Sequence, residues 1–160
     1  MKWAILTSGP YMEMMHSMWA PKLDQATSTY QFMAPLGQSG AIPMIHLDDL
    51  GEYARWVFDH PDQSAGLDLE IATAHVTFDE VARAWTKTTG LNAAYVDVPL
   101  QAWLDSLAPA SASSASQVDA SAESGVLTWH QSFTGWWNLY RHSGGDHPLI
   151  ARDYDLLDRV

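Results

Sequence analysis

Ala41-Ile-Pro-Met-Ile-His-Leu-Asp-Asp-Leu-Gly51 runs directly into Glu52-Tyr-Ala-Arg-Trp-Val-Phe58, and the join between the two decides the fold class. The apolar run from Ala41 to Ile45 reads as a buried strand. Leu50, Tyr53, Ala54, Val57 and Phe58 then fall at the spacing of one helical face. Asp48 or Asp49 is expected to cap the start of that helix, His46 to hydrogen-bond near the strand end, and His60-Pro61 to stop the helix. A buried strand that feeds an amphipathic helix is an α/β unit.

The same alternation extends outward in both directions. Trp3-Ala-Ile-Leu-Thr7 is a second strand, also expected to be buried, and it stops at the turn Ser8-Gly9-Pro10. Tyr11 to Trp19 carries four methionines, whose flexible thioethers suit a surface that adapts to a ligand. Thr29 to Met33 and Leu67 to Ala72 are strand-like. Thr77-Phe-Asp-Glu80 is a capping-box pattern ahead of an inward stripe of Phe78, Val81, Ala82 and Trp85, with Gly90 as the stop. Ala94 to Val98 alternates like a half-exposed strand, and Pro99 opens a helix bearing Leu100, Trp103, Leu104 and Leu107. Residues 108–124 are almost wholly Ala, Ser, Asp and Gln, a composition too poor in apolar area to offset ordering. Beyond them Trp129, Phe133, Trp136, Trp137 and Tyr140 form a broad aromatic helix face, and Ile150 to Val160 reads as a last helical segment.

Acidic residues outnumber basic ones 19 to 8, for a net charge of −11, and the basic residues do not cluster. Nucleic acid and anionic membrane are poor partners for such a surface. There is no apolar run near 18 residues and no leader pattern, so a soluble cytoplasmic protein is the default. Cysteine is absent, which removes disulfides, thiolate nucleophiles and zinc-thiolate sites together. Eight Trp, six Tyr and four Phe are rich for this length and can line a core, an interface or a flat apolar pocket.

Trp3-Ala-Ile-Leu-Thr-Ser-Gly-Pro-Tyr-Met-Glu13, the unit Pro43-Met-Ile-His-Leu-Asp-Asp-Leu-Gly51, and Phe133-Thr-Gly-Trp-Trp137 with Arg152-Asp-Tyr154 together resemble the C-terminal half of NmrA-like proteins. These are atypical members of the short-chain dehydrogenase/reductase superfamily. The resemblance implies an α/β architecture, an incomplete Rossmann-like sheet over residues 1–107 with a C-terminal helical substrate-pocket cap over 126–160 on the same domain. The stretch over 108–125, outside the resemblance, is expected from its composition to be a flexible Ala/Ser-rich linker. The resemblance also implies that the loop after the first strand passes the cofactor nicotinamide and the substrate pocket, with Pro10, Tyr11 and Glu13 at that loop and Pro10 and Tyr11 as the cofactor contacts. The family's Gly-rich turn has no counterpart, since no Gly-x-Gly-x-x-Gly occurs in the chain. Nor is any tyrosine followed four residues later by lysine. This chain alone is therefore expected to bind NAD(P) weakly or not at all, and to need the complementary half for hydride chemistry.

Ligands of open α/β sheets bind outside the carboxyl ends of the strands. Tyr11, Glu13 and His46 come from two such ends and are the candidate catalytic groups for orienting or protonating a ligand. Met14, Met15, Phe133, Trp136 and Trp137 are the candidate pocket walls. His46-Leu-Asp48 with a distal His130 has the outline of a two-histidine, one-carboxylate metal site, but an amphipathic helix follows where that site needs a second strand, so no metal is assigned. His60, His75, His142 and His147 lie beside turn residues and read as surface positions.

The expected function is binding of a small apolar or aromatic organic molecule by a protein related to NAD(P)-dependent reductases. Two further readings stand beside it: a cofactor-independent isomerase or cyclase of secondary metabolism that uses the apolar pocket, and a noncatalytic regulatory module that binds other proteins. An open sheet edge and an apolar face also predict a homodimer.

Overall fold

The computed structural model describes residues 2–106, 129–145 and 148–160. The expected linker over 108–125 lies outside them, as do His147 and the indole of Trp129. Chain order begins with β1 (Ile5–Ser8), a 3-10 helix (Met12–His16), β2 (Lys22–Asp24), β3 (Thr29–Ala34), β4 (Ile42–Met44) and α1 (Leu47–Asp59). It continues with β5 (Asp68–Ile71), β6 (Ala74–Val76), α2 (Phe78–Thr89), β7 (Ala93–Asp97), a described helical stretch α3 over residues 100–106, α4 (Trp129–Arg141) and α5 (Tyr154–Leu157).

The strands form a mixed α/β arrangement. β1 runs parallel to β5, with Leu6 opposite Leu69. β3 runs parallel to β7 and antiparallel to β2, while β4 and β6 are antiparallel, with Pro43 opposite His75. A parallel bridge between Tyr11 and Ile45 ties the exit of β1 to the end of β4. Two hydrogen bonds carry it, from the Ile45 N–H to the Pro10 carbonyl at 3.0 Å and from the Met12 N–H to the Ile45 carbonyl at 2.9 Å. Gly9 makes this crossing possible, because a Cβ there would stand 1.6 Å from the Pro43 carbonyl oxygen.

Helix boundaries follow local chemistry. α2 starts on the full capping box: Thr77 Oγ1 accepts from the Glu80 N–H at 3.2 Å, and Glu80 Oε2 accepts from the Thr77 N–H at 2.8 Å. It stops at Gly90, whose φ of 73° is the left-handed conformation that glycine adopts freely.

Two hydrophobic clusters hold the elements together. The larger joins Trp19, Phe32, Met44 and Phe78 to Trp103, Trp137 and Tyr140. Trp137 is 1% exposed and meets Trp103 and Trp136 edge-on at 5.0 and 4.7 Å, the geometry that aromatic quadrupoles favour. The smaller cluster places Ile45, Leu69, Ile71 and Leu157 beneath α1.

Several sequence expectations are corrected. β1 is not buried, since only Leu6 is half-covered, and among the described residues its one strand partner is β5. The inward stripe of α1 uses Trp56 with Leu50, Tyr53 and Val57, while Phe58 points outward at 82% exposure. The aspartates do not cap α1. His46 does, with its Nδ1 accepting from the Asp48 N–H at 3.3 Å. The expected helix over Ile150 to Val160 contracts to Tyr154–Leu157, capped by Asp153. The strands β2 and β6 are three residues each, too short to display a periodicity in the sequence.

Candidate functional site

The exit of β1 and the inner face of α4 enclose a cavity of about 370 Å³ lined by Ser8, Gly9, Pro10, Met14, Met18, Ser132, Phe133, Trp136 and Tyr140. Sequence-distant segments meet here because the Pro10–Ile45 hydrogen bond steers the chain over β4 and into the 3-10 helix. α4 closes the other side, anchored where the Ala41 N–H donates to the Tyr140 carbonyl at 3.2 Å. Ser143 helps hold that end of α4, since its Oγ donates to the Leu139 carbonyl at 2.7 Å. The walls are mostly apolar. Tyr140 is the one ionisable residue among them, and burial raises its phenol above the ordinary value, so it stays protonated at neutral pH.

Of the sequence candidates, Pro10, Met14, Phe133 and Trp136 line this cavity. Trp137 does not, because it is packed in the core behind them. Met15 faces a different cavity, together with Met12. In a 3-10 helix residues three apart share a face, which sends Met12 and Met15 one way and Met14 another.

Tyr11, Glu13 and His46 are neighbours of the cavity and not part of its lining. Glu13 and His46 do come together, with Glu13 Oε1 3.4 Å from His46 Nε2 and accepting from the Leu47 N–H at 3.1 Å. That backbone N–H, with His46 and His16 adding to it, holds the Glu13 carboxyl below the usual carboxylate range. The second oxygen, Oε2, is buried and without a hydrogen-bond partner. Thr73 backs the arrangement: its hydroxyl accepts from the His46 N–H at 2.9 Å and donates to Asp49. Tyr11 is exposed, and its place in the site is set by its bridge to Ile45.

Two features of the site carry no local signal in the sequence. Thr73 sits just past β5, far along the chain from both groups it supports. His75, expected at the surface from its turn neighbours, lies on a strand that pairs with β4, its Nε2 is buried, and burial lowers its pKa. Among the described residues no group of His, Cys, Asp or Glu could hold a metal ion, and no helix is long and apolar enough to cross a membrane.

The start of a helix is where an α/β fold ordinarily receives a pyrophosphate. Here α1 is closed by His46 and carries Asp48 and Asp49 in its first turn, and α2 is closed by its capping box and carries Asp79 and Glu80. Carboxylates at those positions oppose a phosphate. Neither start fits a dinucleotide pyrophosphate, whereas the apolar β1 exit suits a flat ring.

Comparison with solved structures shows the same fold at low identity. A nucleoside-diphosphate-sugar epimerase from Staphylococcus aureus aligns with a TM-score of 0.61 at 12% identity, covering 99% of this chain and 47% of that one. NmrA, a negative transcriptional regulator, in complex with NADP aligns at 0.54 and 13% identity, covering 86% and 48%. The triphenylmethane reductase of Citrobacter sp. complexed with NADP(H) aligns at 0.53 and 11%, covering 95% and 50%. The chain thus spans about half the length of each. No curated protein matches it. The model of the NmrA-like family matches residues 3–124, and the mixed α/β arrangement with its parallel pairs is that family's partial Rossmann-like fold: the chain belongs to the NmrA-like family.

Proposed function

We propose that this chain supplies the substrate-facing part of a small-molecule-binding protein related to NAD(P)-dependent reductases, and that it takes an apolar or aromatic organic molecule. The observation that carries the reading is the shared cavity: Ser8, Gly9 and Pro10 at a strand exit line one space with Phe133, Trp136 and Tyr140. Its volume of about 370 Å³ lies in the range of ligand pockets, and its apolar walls select for ring and hydrocarbon surface. NAD(P) enters this reading through the complementary part of the fold, since the starts of α1 and α2 oppose the pyrophosphate. The chain's own residues bind the apolar guest, exclude water through Phe133 and Trp136, and present the neutral Tyr140 phenol.

Glu13 and His46 favour a second reading, a cofactor-independent isomerase or cyclase. A carboxylate 3.4 Å from an imidazole can pass a proton at a bound substrate without redox chemistry.

Fluorescence titration tests the pocket and the assignment of the cofactor. An apolar aromatic ligand that quenches the tryptophans near Phe133 and Trp136, with NADPH and NADP binding this chain only weakly, is the expected result. Saturable binding of NADPH with a dissociation constant of about 1 μM by this chain alone would overturn the assignment of the cofactor to the complementary part. Failure of every apolar ligand to bind would overturn the pocket.

A further inference from the structure

We propose a second small-molecule site in the groove between α2 and the 3-10 helix, specific for uncharged aromatic molecules that carry an N–H or O–H donor. The groove has a volume of about 750 Å³, roughly twice that of the cavity described above, and shares no lining residue with it. Its floor is formed by Met12, Met15, Phe32 and Met44, and its far wall by Val81 and Trp85 of α2. The inner stripe of α2 is thus only half used. Phe78 and Ala82 are buried in the core, whereas Val81 and Trp85 remain partly uncovered and face the groove.

The lining fixes the class of guest. Trp85 is held in place by Tyr30 and Phe32 at ring distances of 5.4 and 5.7 Å, which makes a rigid aromatic wall for a flat ring. The methionines opposite can repack around guests of different outline. The Nε1–H of Trp85 and the Nε2 of His75 are buried behind the groove wall without partners; the indole only donates, so of the two it is His75 that can accept from a guest. Glu80 stands at the rim, and the Thr77 backbone N–H holds its carboxyl below the usual range, so it is ionised at neutral pH. That fixed negative charge, in a protein of net charge −11, repels anions and attracts a donor group. The class is therefore apolar, aromatic and not anionic.

N-phenyl-1-naphthylamine tests this directly, with 1-anilinonaphthalene-8-sulfonate as the same ring system bearing a sulfonate. The neutral probe is expected to bind with a fluorescence rise and at least about tenfold tighter than the sulfonate. Ala84→Trp, which fills the groove from the exposed side of α2, should weaken the neutral probe about tenfold or more, and Ala84→Glu, which adds a second carboxylate there, should widen its margin over the sulfonate, neither changing the circular dichroism spectrum. Ser132→Trp, which obstructs only the other cavity, should remove any probe bound there and leave the groove's own affinity unchanged. Full affinity in Ala84→Trp, an unchanged margin over the sulfonate in Ala84→Glu, loss of all binding in Ser132→Trp, or preference for the sulfonate would each overturn the proposal.

Discussion

The Nε2 atom of His46 faces Glu13 Oε1 at 3.4 Å while Nδ1 of the same ring accepts the Asp48 N–H at 3.3 Å, so one imidazole both caps α1 and contacts a carboxylate. Because Nδ1 accepts, the hydrogen-bond network assigns the proton of the neutral ring to Nε2, toward Glu13. The two duties can be separated by substitution. His46→Ala should cost about 1 kcal/mol through the lost cap, and His46→Asn should recover that stability, because Asn also accepts at a helix start. Both variants, and Glu13→Gln, should lower turnover or ligand affinity by about tenfold or more if the contact moves a proton. Urea unfolding reads the first effect and a ligand titration the second. Unaltered function in all three variants would leave His46 a cap alone.

His75 makes the protein's stability depend on pH near neutrality. Burial lowers its pKa in the fold, Arg152 adds to the lowering, and Glu80 with the carbonyls of Ala41 and Ser143 opposes it. The unfolded ring, at its ordinary value of 6.5, then binds a proton before the folded one does. Stability from this source is complete above that value and declines as pH falls below it. Melting temperatures measured from about pH 8 to about pH 5 should drop, and His75→Gln should flatten that first decline. Glu13 and Glu80 have lowered values, so their contribution is lost in a separate step below the ordinary glutamate value of 4.5. A midpoint independent of pH across the upper range would contradict the burial of His75.

Gly9 should tolerate no side chain. A Cβ would overlap the Pro43 carbonyl oxygen at 1.6 Å, and a backbone atom cannot swing aside as a flexible side chain does. Gly9→Ala should destabilise by about 3 kcal/mol and, where folded protein survives, deform the cavity that Gly9 lines. Gly51→Ala is the control, since nothing lies within 4 Å of a Cβ there and alanine favours the helix. Thermal melts of the pair should move in opposite directions.

Trp136 and Trp137 are adjacent in sequence and should respond differently. Trp137→Ala empties a core position that is 1% exposed and should cost about 3–5 kcal/mol. Trp136 lines the cavity, and Trp136→Leu should retain most of the stability while weakening an apolar ligand about tenfold. Chemical denaturation alongside ligand titration distinguishes them. Equal destabilisation by both substitutions would make the α4 stripe plain core.

Thr77→Ala breaks one arm of the capping box at α2, where Thr77 Oγ1 accepts from the Glu80 N–H. A loss of about 1 kcal/mol is expected, and Thr77→Ser should restore it.

What the sequence by itself determined is what short-range chemistry encodes. Thr77-Phe-Asp-Glu80 specifies its own helix start because every partner lies within three residues, and Gly90 ends that helix because glycine alone adopts a positive φ without cost. The aromatic spacing from Phe133 to Tyr140 announces a helix for the same reason, and the strand-then-helix order from Ala41 to Phe58 gives the α/β class. Tertiary structure decided everything that depends on segments far apart in the chain. It gave the α1 cap to His46 in place of the aspartates, because the β4 exit leaves Nδ1 at the free N–H of Asp48. It set Glu13 beside His46 through the Pro10–Ile45 backbone pairing, buried His75 by pairing β6 with β4, and divided the methionines of one 3-10 helix between two cavities. Period and composition state which residues can be buried. Only the packing of distant elements against one another states which face each one covers, because long-range contacts are set by the shapes that meet.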